Sequence, residues 1–180
     1  MSPKRHPADD NIGYLRQGAE LVRKLDDDLF TRSVGGRFRG GVGSQFRHCI
    51  DFYECLLYGL ENGDLVDYTA RSRERELEIR RTAAAQRLEQ LAKRLAVIDV
   101  DSLSRPLKVR SEQPVPELPE WSGSTLHREL QFLVSHTVHH YALIVVLLGR
   151  LGYDLEPEQA DFGIAPSTLE HWNEADQLAG

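Results

Sequence analysis

Ser135-His136-Thr137-Val138-His139-His140-Tyr141-Ala142-Leu143-Ile144-Val145-Val146-Leu147-Leu148 sets three histidines into the longest apolar stretch of the chain. A helix turns about 100° per residue, so His136 and His140 stand about 40° apart on one face, close enough to grip one metal ion. His139 lies about 60° to the other side of His136 on the same wheel. Leu130, Leu133, Val138, Leu143, Ile144 and Val145 surround them with apolar surface. An unpaired imidazole there costs a few kcal/mol of desolvation, so these rings need partners.

Outward from this segment the pattern is helical. The helix that carries it is predicted to start near Ser124 and to run to Gly149 or Gly152. Before it, Ile12, Leu15, Ala19, Val22 and Leu29 recur at three- and four-residue steps, which predicts an amphipathic helix over 10–33. The stretch Gly35-Gly36-Arg37-Phe38-Arg39-Gly40-Gly41-Val42-Gly43 reads as a loop, and Ser44 as the N-cap of a second helix that Asn62-Gly63 ends. A third helix over 70–98 is predicted from the heptad series Leu77, Ala84, Leu91 and Ile98, with Leu88 and Leu95 at the alternate seam positions. Its outer face, from Arg71, Arg73, Glu74 and Arg75 to Arg80 and Arg81, alternates in sign and reads as a solvated surface.

Residues 99–122 break the periodicity with four prolines, Pro106, Pro114, Pro116 and Pro119. They predict a long connection with a short extended piece at 107–110. A connection of that length can cross the length of a bundle. Ser167-Thr168-Leu169-Glu170 fits a capping box opening a short last helix that includes Trp172. The expected fold is all-α: a four-helix bundle with a long crossover connection and a short C-terminal helical segment. Residues 1–9 are expected to be a flexible start, and 10–180 a single domain.

Bulk composition narrows the function classes. The 180 residues suffice for one core, with 41% hydrophobic and 28% charged residues and a net charge of −6. That balance argues against nucleic acid or an anionic membrane surface as partner, either of which wants a concentrated basic face. The apolar run 141–148 is short of the roughly 20 residues a membrane-spanning helix needs. The start, Met1-Ser2-Pro3-Lys4-Arg5-His6-Pro7, leads into Asp9 and Asp10 rather than an apolar segment, and a cytoplasmic location is expected. Cys49 and Cys55 are poorly spaced on one helix to bridge and read as reduced thiols.

A third imidazole lies on the second helix. His48, Phe52, Cys55 and Gly59 follow steps of four, three and four, so His48 shares an apolar stripe. If that stripe faces the last long helix, His48 meets His136 and His140. Three histidines with one coordination position left open are the arrangement of catalytic metal sites. Neutral imidazole suits zinc, nickel, iron or copper. The competing reading is three hydrogen-bonded core histidines. No His-Glu-x-x-His, paired Glu-x-x-His, Cys-x-x-Cys or Gly-x-Ser-x-Gly motif is present.

Several neighbours have two readings. Asp51, one turn beyond His48, either orients an imidazole or forms a surface salt bridge. His139 is a group behind the ligands, a proton shuttle, or a polar residue turned toward a neighbouring helix. His127 is predicted on the opposite, solvent-facing side, and His6 and His171 are assigned nothing. Cys55 shares the His48 stripe, where an apolar surround raises a thiol pKa and favours packing over chemistry.

With Gly43-Ser44-Gln45-Phe46-Arg47-His48, His136-Thr137-Val138-His139-His140 and the closing Asp161-Phe162-Gly163-Ile164-Ala165-Pro166-Ser167-Thr168, the chain resembles the DinB-like (DinB/YfiT) superfamily of metal-dependent four-helix-bundle proteins over about residues 10–175. The resemblance implies a divalent metal, zinc, nickel or iron, held by His48, His136 and His140. It also implies thiol-dependent transferase or hydrolase chemistry with a low-molecular-weight thiol or water, on a small-molecule substrate that the sequence does not name. After the last ligand the chain departs from the family: many relatives read His-His-Arg-Gly-Gln, whereas this one reads His140-Tyr141-Ala142-Leu143, without the charged group, which argues against an anionic substrate. The alternatives are a non-catalytic metal-binding bundle or a dimerisation module, and a homodimer fits a bundle of this kind.

Overall fold

The computed structural model describes residues 6, 8–35, 40–111, 117 and 119–179. The expectations for Gly36 to Arg39 and for Pro114 and Pro116, and most of those for residues 1–9, lie outside them. Of the first nine residues, Ala8 is fully buried and the His6 ring meets Ile98 O at 2.8 Å.

The described chain is mostly helical, with one small sheet. Helix α1 (Asp9–Lys24) buries Ile12, Leu15, Ala19 and Val22, the stripe its periodicity predicts. The helix expected over 10–33 is instead two. Leu25 is extended, and the Asp26 carboxylate accepts the Leu29 N–H at 2.7 Å to cap a new short helix, α2 (Asp27–Thr31). A side chain that offers the backbone a local acceptor competes with helix continuation. Helix α3 (Val42–Glu61) begins three residues before the expected start, with Gly41 and not Ser44 as N-cap; the Ser44 hydroxyl donates back to Gly41 O. It ends where Gly63 takes a left-handed conformation (φ 83°).

The largest departure is at 68–80. The predicted helix over 70–98 is confined to α4 (Glu76–Ile79) and α5 (Arg81–Leu95). The Asp67 carboxylate accepts from both the backbone N–H and the hydroxyl of Thr69, and Arg73 is left-handed (φ 50°), so the chain turns here instead of winding. The heptad reading holds inside α5, where Ala84, Leu88, Leu91 and Leu95 are buried. Charges there pair across the surface: Arg81 with Asp27, and Arg87 with Glu54 and Glu74.

The all-α expectation holds in outline, and a small three-stranded sheet adds to it. Strand β1 (Leu65–Asp67) runs parallel to β2 (Pro106–Arg110), which pairs antiparallel with β3 (Ser122–Thr125). The extended piece expected at 107–110 is β2. Three-residue β1 and Ser-Gly-Ser-Thr β3 have too little periodicity or β-propensity to announce themselves. Thr125 then caps α6 (Leu126–Arg150), its hydroxyl accepting the Arg128 N–H. A last helix, α7 (Pro166–Ala179), starts at Pro166, just ahead of the expected capping box.

The long helices pack in the order α1–α5–α3–α6, with α6 closing back on α1. The site therefore forms between α3 and α6, two elements far apart in sequence. Helix α6 is apolar and long enough to cross a membrane by length and composition, which the shorter run 141–148 does not suggest. Here its Leu130, Leu133, Tyr141, Ile144 and Leu148 are core residues. Buried polar groups pin the helices beside the site: Asn11 donates to Leu130 O and Tyr53, and Thr137 donates to the same Tyr53 hydroxyl.

Candidate metal centre

His48 comes from the first turns of α3, and His136 and His140 from the middle of α6. One ring nitrogen from each lies within 4.8 Å of the others, the only such group of histidines, cysteines or carboxylates among the described residues. His48 Nε2 is 3.2 Å from His136 Nε2, and the three ring centroids are 4.4 to 5.0 Å apart. The i, i+4 pair on one helix and the single ring from its partner therefore converge as the spacing predicts.

The surroundings favour neutral rings. Burial, then the neighbouring imidazole and the cations of Arg71, Arg47 and Arg73, bring the His48 pKa down to about 3. Burial and the adjacent histidines bring His136 and His140 down to about 4. A neutral imidazole keeps a lone pair, which is what a metal ion needs. Phe52 packs on the His136 ring at 4.1 Å between centroids, with Phe132 at 5.6 Å.

Hydrogen bonds orient two of the three rings. His140 donates its Nδ1–H to Gln45 Oε1 at 2.7 Å, which leaves its Nε2 lone pair available. Arg71 Nη1 donates to His48 Nδ1 at 2.5 Å. With Nδ1 as acceptor, His48 carries its proton on Nε2 and donates it to His136 Nε2, so His136 holds its own proton on Nδ1. That Nδ1 is buried with no hydrogen-bond partner. Hydrogen bonding among the rings thus leaves one buried polar group unmet, and the donor set of three neutral imidazoles could hold a metal ion.

Other residues singled out from the sequence fall away from the rings. Asp51 is buried, but its oxygens bind Arg47 at 2.8 Å and Ser72 at 3.2 Å, so it is the salt-bridge partner, set in the interior rather than at the surface. His139 is exposed, its ring edge-on to His140 at 5.2 Å and outside the converging group. His127 and His171 are exposed. Cys49 and Cys55 are free and buried; burial raises both thiols, Cys55 to about 12, which keeps them protonated and inert. A cleft of about 570 Å³ behind Asp51 is lined by Glu54, Cys55, Tyr58 and Ser72 and by none of the three histidines.

Gln45 and Arg71 are the hydrogen-bonding neighbours of the rings that sequence reading missed. Gln45 precedes His48 by three residues on the same helical face, a detectable signal. Arg71 carries no signal, because its segment reads as the outer face of a helix that does not form.

No family model matches the chain, and no solved structure matches it. Over 108 residues it is 31% identical to FK506-binding protein 5 of Rhizopus delemar, a match covering 59% of this chain. The chain spans 27% of the length of that curated relative.

Proposed function

We propose that the chain is a DinB-like four-helix-bundle protein that holds one divalent metal ion on His48, His136 and His140 and works as a cytoplasmic metal-dependent enzyme of the thiol-dependent transferase or hydrolase type. The observation that carries the reading is the convergence of three neutral imidazoles from α3 and α6 with no fourth protein ligand among the described residues. Three protein ligands leave a tetrahedral ion one position for a small molecule. Such an ion supplies Lewis acidity, lowering the pKa of a thiol or water in that position.

This chain's own residues supply the rest. Gln45 fixes the tautomer of His140, Phe52 and Phe132 pack against the His136 ring, and the Tyr53–Thr137 bond ties α6 to α3. The competing reading, a structural core or dimerisation module, draws on the His48–His136 and His140–Gln45 bonds, but leaves His136 Nδ1 unmet.

The test is a panel of thiol-transfer and hydrolysis substrates assayed with metal-loaded, chelated and His136→Ala protein. Turnover that vanishes on chelation, returns with metal and is missing in the variant supports the enzyme. Metal bound with no turnover across the panel favours a non-catalytic metal protein.

A further inference from the structure

We propose that Tyr141 is a positioning residue of the metal centre: seated in a socket cut by Gly18 and Gly163, it fixes the rotation of α6 and so aims His136 and His140 at His48. This role rests on the metal reading above and concerns what holds its ligands in place.

Rotation of α6 is the movement the centre tolerates least. A side-chain atom about 6 Å from a helix axis moves about 1 Å when the helix turns by about 10°, whereas metal–ligand distances must be met to within about 0.2 Å. Two of the three candidate ligands ride on α6, and Tyr141 follows His140 directly, about 100° further round the helix. Its side chain is fully buried. The ring stacks on Phe162 at 4.4 Å between centroids with 9° between the planes, and stands edge-on at 5.6 Å to Phe46, which lies two residues before His48 on α3. The phenol enters α1 at Gly18, where a Cβ would lie 2.0 Å from its oxygen, and donates to Tyr14 O at 2.9 Å. A carbonyl oxygen has a second lone pair to offer beyond the one its helical bond uses.

On the other side, the turn at 161–164 closes the socket. Gly163 is left-handed (φ 76°), and a Cβ there would stand 2.9 Å from Tyr141 C and Ala142 N, so the turn lies against the main chain of α6 itself. Tyr14 holds the turn in place, its phenol donating to Ile164 O at 2.6 Å. Tyr14 therefore serves both sides: its carbonyl accepts from Tyr141 and its side chain bonds the turn. The Tyr53–Thr137 bond joins two side chains, whereas Tyr141 meets backbone on two sides, which cannot swing aside.

The experiment loads the full-length protein with cobalt(II), reading affinity by competition with a chelator and ligand geometry by visible absorption, beside melts of the metal-free protein. Tyr141→Phe keeps the ring and removes one hydroxyl. It should bind cobalt about tenfold more weakly than wild type, the low end of what groups that orient ligands contribute, and with a shifted visible spectrum. Leu91→Ala truncates a buried side chain on α5, which packs on α1 and α3. It should lower the melting temperature at least as much and leave cobalt affinity and spectrum as in wild type. Gly18→Ala should weaken cobalt binding more than Tyr141→Phe does. In the double variant the two losses should not add, because the oxygen that the new Cβ meets at 2.0 Å is gone. Wild-type affinity and spectrum in Tyr141→Phe, or an equal loss of affinity in Leu91→Ala, overturns this inference alone. Failure of wild type to take up cobalt overturns the metal reading and this inference with it.

Discussion

Gln45 Oε1 accepts the Nδ1 proton of His140 at 2.7 Å, from a position one helical turn before His48. One side chain of α3 therefore sets the ring orientation of a candidate ligand on α6, while its neighbour on the same face is another candidate ligand. Outer partners of this kind typically change metal affinity by about 10- to 100-fold. Gln45→Ala should accordingly weaken metal binding about tenfold with little change in the melting temperature of the metal-free protein. A competition titration against a chromophoric chelator, beside thermal melts, measures both.

Metal should stabilise the folded chain. An ion that binds only the folded state at about 100 times its dissociation constant adds about 2.7 kcal/mol. Wild type should melt several degrees higher with metal than with chelator. His136→Ala should melt at one temperature in both, as followed by circular dichroism.

Acid should destabilise the metal-free protein in a defined window. Unfolded, each imidazole takes a proton near its ordinary 6.5; folded, His136 and His140 stay neutral to about 4 and His48 to about 3. Between those values the unfolded chain binds more protons, so stability falls as pH drops from about 6.5 toward 4 and is unaffected by these groups above it. Denaturant midpoints at pH 7.5, 6 and 5 test this. His48→Phe should flatten the slope.

The approach of α3 to α4 depends on a missing side chain. A Cβ at Gly43 would stand 2.2 Å from the Glu78 carbonyl oxygen, a backbone atom that cannot swing aside. Gly43→Ala should cost about 1–3 kcal/mol and, by shifting the first turn of α3, weaken metal binding as well. Chemical denaturation and metal titration of the variant report the two effects separately.

The parts of this fold legible in the sequence are those where one periodicity runs unopposed. Ile12 to Val22, His48 to Gly59 and Leu130 to Leu148 each keep one apolar face, and the three histidines inherit their convergence from those faces. Legibility fails where side chains bond to nearby backbone. Asp26 breaks the first helix by capping the next, and Asp67 with Thr69 turns the chain where heptad spacing alone predicts winding. Arg71 shows the consequence: read as helix surface, it stands against His48 because its segment is not helical. Strands β1 and β3 were hidden for a related reason, since their pairing is set by partners more than forty residues away for β1 and by β2 for β3.

The central claim is that His48, His136 and His140 together hold one metal ion. Elemental analysis of freshly purified, untagged protein beside His48→Ala and His136→Ala tests it most directly. The account predicts about one equivalent of zinc, nickel or iron in the wild type and loss of it in both variants. Full occupancy in His136→Ala, or a wild type that binds no metal even when it is added back, would contradict it.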